Sequence, residues 1–240
     1  MKKYIYLLLA VSALFFSCKD DSEKFVEQLF TNEQITNALR QCMRATVDST
    51  TNTLCVVDSI DHKYGYSYYA DGAYRLTILP VAKTVVDTLI KHGHEAEIDT
   101  LIFNMNRAAE TCKNKIVQFW DPIIKDMLLP NPKQLLHGGN SAITDYIKLT
   151  TQSEFVSTLI SSILKEQFDA LHVVTRWNAL QQTYFEITGN QSSIDILNSA
   201  AQQMDAGFFK HMRIVEEAIR KNPDLRGDKN EWLYRVFATL

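Results

Sequence analysis

Glycine and proline are scarce in this chain, eight and five among 240 residues. All-β sandwiches and barrels turn their many short strands on more of both, so the shortage argues for helices. Motifs for covalent chemistry are missing as well. There is no G-x-S-x-G nucleophile elbow, and no glycine-rich run followed by Lys-Ser or Lys-Thr that would cradle a phosphate. Cysteine is limited to Cys18, Cys42, Cys55 and Cys112, with no C-x-x-C and no zinc-ligand spacing. The formal charge is −3 and the basic residues form no stripe, which speaks against a nucleic-acid partner. The longest apolar run, residues 4–16, is too short to span a bilayer as a mature helix.

That run has a different use. Lys2 and Lys3 precede it, and Ser17 and Cys18 follow it. A short positive region, an apolar core and a small residue before a cysteine make the pattern of a bacterial lipoprotein signal peptide. Residues 1–17 are then removed and Cys18 carries a diacylglyceryl group. More than one acyl chain gives stable attachment, so the membrane is an expected partner through Cys18. Loss of Lys2 and Lys3 takes the formal charge from −3 to −5. Lys19, not Asp, follows the cysteine, which points to the outer membrane. Lys19, Asp20 and Asp21 read either as a surface-export signal or as a solvated tether, so the periplasmic and cell-surface faces both stay open. Residues 18–30 form the acylated cysteine and polar tether, and residues 31–240 the helical domain.

Apolar residues then recur at spacings of three and four, the mark of amphipathic helices around a core. Thr31 to Gln34 form a capping box that opens a helix through Ile35, Leu39, Cys42, Met43 and Val47 toward Val57. Its Ser49-to-Thr53 stretch is where fraying is expected. On that helix Cys42 and Cys55 stand about 20 Å apart, beyond disulfide reach, so both are read as unpaired. Cys112 is read as a small buried hydrophobe. Residues 63–79 alternate instead, with Tyr64, Tyr66 and Tyr68, an Asp71-Gly72 turn, then Tyr74, Leu76 and Ile78. Period two predicts a short hairpin or an extended tyrosine-rich flap, packed on the bundle or offering a sugar-stacking face.

Pro80 opens the next helix, which stops at Gly93. His92, His94, Glu95 and Glu97 read as exposed turn residues rather than metal ligands. Gly138 and Gly139 let helices approach closely, ahead of a helix capped by Asn140 or Ser141. A long helix from Ser153 to about Gly189 follows, then one from Ser193 to about Asn222. A corner at Pro223 and a last helix from Trp232 to Phe237 complete an all-α, single multi-helix bundle.

The longest periodic stretch, residues 98–127, is read as the central helix, with a kink near Asp121-Pro122. Ile98, Leu101, Met105, Ala108, Ala109, Cys112, Ile116 and Trp120 share its apolar face. Asn106 and Glu110 stack one turn apart on a flank that Phe103 and Val117 also occupy. A carboxylate covered there finds a partner or changes its pKa. Arg107 is a local candidate partner, and an Arg from another helix a better one. Asp145, Glu216, Glu217, Arg220 and Arg226 are expected to converge on this point from distant segments.

Four stretches together resemble a known family. They are Asn106 to Glu110, Arg75 to Pro80, Leu136 to Tyr146, and Gly207 to Phe209 followed by Glu216 to Arg220, Pro223, Arg226 and Val236-Phe237. In order and spacing they are similar to the signatures of an uncharacterised bacterial lipoprotein family, domain of unknown function 4197. The resemblance covers roughly residues 31–238. It implies a helical envelope protein with no assigned activity and no established catalytic residues.

Three functions compete on these residues. A non-enzymatic module would bind an unknown protein, glycan or apolar ligand at the membrane surface and needs no cofactor. An enzyme would draw an acid–base pair from Glu110, Glu216 or Glu217, with Arg107, Arg220 or Arg226 positioning an anionic substrate. A hydrophobic-ligand carrier would further need a cavity between helices. An ion-pair network holding helices together uses the same side chains, and the cluster is expected to be such a keystone.

Overall fold

The computed structural model describes residues 29–78 and 82–240. The leader, Cys18, most of the tether and Pro80 lie outside the described residues. The helices are α1 (Asn32–Leu54), α2 (Gly65–Gly72), α3 (Lys83–Lys91), α4 (Glu95–Glu110), α5 (Lys113–Asp126), α6 (Pro132–Leu136), α7 (Ala142–Thr158), α8 (Leu164–Ala170), α9 (Val173–Thr188), α10 (Ile196–Lys221) and α11 (Trp232–Phe237). A π-helical segment, Leu159–Ile163, joins α7 to α8, and a 3₁₀ turn, Pro223–Leu225, follows α10. Among the described residues there is no strand.

The chain packs around α1, which touches α5, α6, α10 and α11, rather than around residues 98–127. It opens at the capping box, where Gln34 N–H donates to Thr31 Oγ1 at 3.2 Å and Thr31 N–H to Gln34 Oε1 at 2.9 Å. The Thr/Ser-rich half does not fray. Thr46, Thr51 and Thr53 donate their hydroxyls to carbonyls four residues earlier, so the polar side chains enter the core already partnered. Ile35, Leu39, Cys42, Met43, Val47 and Leu54 supply its buried apolar stripe.

Residues 98–127 form two helices, not one. At Thr111 and Cys112 ψ is close to zero, and the Thr111 hydroxyl and Cys112 thiol both donate to the Ala108 carbonyl. Side chains competing for a helical carbonyl interrupt the ladder there. The apolar face survives the break, because Ala109, Cys112, Ile116 and Trp120 all stay buried. The expected kink site, Pro122, lies inside α5, which continues to Asp126. Phe103 is half exposed, so that flank is only partly covered.

Other boundaries move for equally local reasons. Ser153 lies within α7, and the long helix is divided instead at the π segment and at His172, whose φ is +54°. Asp195, not Ser193, caps α10, its carboxylate accepting from Asn198 N–H at 2.9 Å. Gly93 ends α3 with φ +90°, as expected of a helix-stop glycine. The core is sealed by Trp120 of α5, Phe155 of α7 and Phe208 and Phe209 of α10, with ring centroids 5.4–6.4 Å apart. Cys42, Cys55 and Cys112 are unpaired and buried. Burial pushes the Cys112 thiol up to about 12, which leaves it chemically quiet.

Candidate functional site

The eight polar residues singled out in the sequence do not converge. They divide into two buried sets and two surface pairs. Asp145 is exposed, accepting from the Ser141 hydroxyl at 2.8 Å and pairing with Arg213 at 2.6 Å. Glu217 accepts from Lys221 at 2.5 Å and Asn140 at 3.0 Å on the same exposed side.

The first buried set is on α4. Glu110 Oε1 accepts the backbone N–H of Ser67 at 2.9 Å. Ser67 is the third residue of α2, whose own N-cap, Tyr64, offers no side-chain bond. Glu110 thus caps α2 from a different helix. Gly65 makes this approach feasible. Its φ is +83°, and a Cβ there would stand 2.6 Å from Glu110 Oε1 and 2.5 Å from the Val56 carbonyl. Arg107 is a distant partner at 3.8 Å, its guanidinium lying over the Phe103 ring, and among the described residues no arginine of another helix takes its place. Burial pushes the Glu110 carboxyl above its usual range, against the Ser67 hydrogen bond and Arg107.

Asn106 clamps the segment that follows α2. Its Oδ1 accepts Leu76 N–H at 2.8 Å and its Nδ2 donates to Leu76 O at 2.9 Å. Gln203 of α10 does the same to Thr77, accepting at 3.0 Å and donating at 2.9 Å. Two side-chain amides therefore stand where a neighbouring strand would be. This explains why residues 74–77 alternate in burial although the hairpin is absent. Tyr74 and Leu76 point inward while Arg75 and Thr77 are exposed. Tyr66 is fully buried, its hydroxyl donating to Met204 O at 3.2 Å, so Tyr66 and Tyr74 are packed on the bundle and lost to any sugar-stacking face.

The second buried set is on α10. Glu216 accepts the N–H groups of Ile143 at 3.1 Å and Thr144 at 2.7 Å, the second and third residues of α7. Ser141 occupies the N-cap position of α7 without making the cap bond. One turn on, Arg220 donates to Glu216 at 2.8 Å and to the carbonyls of Leu136 at 2.8 Å and Leu135 at 3.0 Å, at the end of α6. An anion thus meets a helix N-terminus and a cation a helix C-terminus, each where the helix dipole favours it. Arg226 completes the set by donating to Ile219 O at 3.0 Å and Arg220 O at 2.6 Å, which closes the C-terminal end of α10. Gly138 admits the tight turn between α6 and α7, since a Cβ would meet the Ala142 Cβ at 2.6 Å.

Arg220 borders an open depression of about 380 Å³ beside Leu136, His137, Asn140 and Leu240, but its Nε, Nη1 and Nη2 are all engaged. No group of three or more His, Cys, Asp or Glu among the described residues is placed to hold a metal ion.

Sequence reasoning passed over Gln203 and Asp205 on α10, and read His211 of the same helix as a packing or surface residue rather than a base; it is packed. Asp205 and His211 had a signal, since each interrupts the apolar stripe of Ala201, Met204, Phe208 and Met212. Gln203 had none. His211 is buried beside Tyr69 and Tyr74, 3.1 Å from the Thr50 hydroxyl, and burial lowers its pKa to about 4. A histidine held below its usual 6.5 contributes stability that is complete above pH 6.5 and lost as the pH falls through about 4. Glu110 and Asp205, raised by burial, give the opposite slope. His211→Gln is expected to flatten the acid limb in chemical denaturation between pH 6.5 and 4, and an unchanged limb contradicts the assignment.

A family model described as a protein of unknown function, DUF4197, matches residues 29–238. No curated protein and no solved structure matches the chain.

Proposed function

The chain belongs to the DUF4197 family of proteins of unknown function, and on that premise we propose a role drawn from its own residues: a lipid-anchored helical module of the bacterial cell envelope that acts by binding a partner. What carries the reading is the engagement of the buried acid and base groups. Glu110, Glu216, Arg220 and Arg226 direct their hydrogen bonds to backbone groups at helix ends, or to each other. An acid–base pair must instead reach a substrate proton. The signal-like leader supports the anchor, with Lys2 and Lys3, a short apolar core and Ser17 before Cys18. Lys19 after the cysteine supports the outer membrane as its destination. No described helix is long and apolar enough to cross a membrane.

Two substitutions test the parts separately. Cys18→Ala is expected to release the chain from the membrane fraction, and retention there contradicts the anchor. Glu110→Gln keeps an acceptor for Ser67 and removes the charge. It is expected to leave melting temperature and the complementation of a deletion strain unchanged. Lost complementation at unchanged melting temperature would show that the carboxylate does chemistry.

A further inference from the structure

A groove beside α10 belongs to neither buried set. It runs between α7 with the π segment and α10, has a volume of about 830 Å³, and its lining includes Gln152, the serines of α7, Val156, Ile160, Asp205 and Ala206. Its one ionisable lining group is Asp205, a residue only 2% exposed. Asp205 Oδ2 accepts the Gln152 side-chain amide at 2.8 Å, whereas Oδ1 is buried with no hydrogen-bond partner. A buried carboxylate oxygen without a donor is costly, and such atoms mark places where a ligand completes the structure. The π segment is a second, independent feature. It supplies Ile160 and Ser161 to the wall, and single π turns inside α-helices recur at functional sites.

We propose that this groove binds a primary ammonium group carried on a short apolar chain, with Asp205 as its anchor. The ammonium is chosen by charge and donor count. The lining has one carboxylate and no cationic side chain, and the nearby Lys148 ammonium sits over the Phe209 ring at 5.5 Å. An ammonium offers three N–H groups and no acceptor. The groove supplies acceptors in Asp205 Oδ1, the Gln152 carbonyl and the serine hydroxyls of α7. Gln152 is exposed, so its side chain has room to rotate, and the ammonium replaces the hydrogen bond that the rotation gives up. Val156, Ile160 and Ala206 then take the apolar chain. A sugar fits less well because no aromatic ring lines the groove, and an anion is repelled by Asp205.

The inference deepens the binding reading above by naming a ligand class, and it is independent of the anchor. Its test is titration calorimetry of the full chain in neutral phosphatidylcholine nanodiscs, with hexylammonium, hexanol and hexanoate as probes. Hexylammonium is expected to bind at least tenfold more tightly than either of the others. Asp205→Asn keeps the shape and an acceptor for Gln152, and is expected to weaken hexylammonium at least tenfold at unchanged melting temperature. Ala206→Trp, which fills the groove and keeps Asp205, is expected to abolish binding. Equal binding of hexanol, or full binding by both variants, overturns the ligand class and the site. Neither result bears on membrane release by Cys18→Ala or on complementation by Glu110→Gln, so the two readings fail separately.

Discussion

Replacing Glu216 by Ala is expected to cost about 3–5 kcal/mol of stability, the range for breaking one partner out of a buried ion pair. The side chains of Glu216 and Arg220 are 1% and 6% exposed, so water cannot replace the missing carboxylate. Two backbone N–H groups at the start of α7 lose their acceptor, and the Arg220 guanidinium is left buried with only carbonyl partners. Arg220→Met is expected to fall in the same range, because it leaves the buried Glu216 side chain without its guanidinium partner and frees the end of α6. Both residues serve one network, so the double variant should lose less than the sum of the two. Equilibrium urea unfolding of the three variants measures this. A cost for Glu216→Ala near that of an exposed ion pair, below about 1 kcal/mol, would contradict the buried-cap assignment.

Gly65→Ala is the second large effect, and its cause lies in backbone geometry as well as in packing. At φ +83° an L-residue carries a left-handed penalty of about 1–2 kcal/mol. The new methyl would also collide with the Val56 carbonyl and Glu110 Oε1 at 2.5 and 2.6 Å. If Glu110 moves to relieve the collision, Ser67 loses its cap. A total of about 2–4 kcal/mol is expected, read from the urea midpoint at constant slope. Gly139→Ala is a suitable control, since a Cβ there meets nothing within 4 Å. A control as costly as Gly65→Ala would show that the loss is not specific to the Glu110 contact.

The helical class, the capping box at Thr31, the unpaired cysteines and the buried face of residues 98–127 were all legible because they are local and periodic. The break at Thr111 was not. Its cause is two side chains sharing one carbonyl, which leaves the apolar spacing intact. The tyrosine segment misled for a related reason. Tyr74 and Leu76 alternate as a strand does, but the pairing groups are the amides of Asn106 and Gln203, thirty and 126 residues away from their backbone partners. Periodicity reports which face is buried and not what lies against it.

The polar set shows the same limit. Asn106 and Glu110 stood out as polar groups beside an apolar stripe, and both are buried. Their expected meeting with Glu216, Arg220 and Arg226 does not occur, because each set closes the ends of its own neighbouring helices. Sequence gave the residue types suited to capping, while the choice of helix end depends on tertiary approach. Asp205 was visible as an interruption of the α10 stripe, although its groove depends on how α7 and α10 pack.

Buried glutamates of one helix cap another in this fold, and native-state amide hydrogen exchange reads those caps residue by residue. First-turn amides of a helix ordinarily lack an acceptor and exchange early. Here Ile143, Thr144 and Ser67 are expected to be strongly protected. Glu216→Ala should abolish protection at Ile143 and Thr144 while sparing Ser67, by comparison with an equally destabilised core variant such as Phe208→Leu. Fast exchange of Ile143 and Thr144 in the unaltered chain, at the rate of an uncapped helix end, would contradict it.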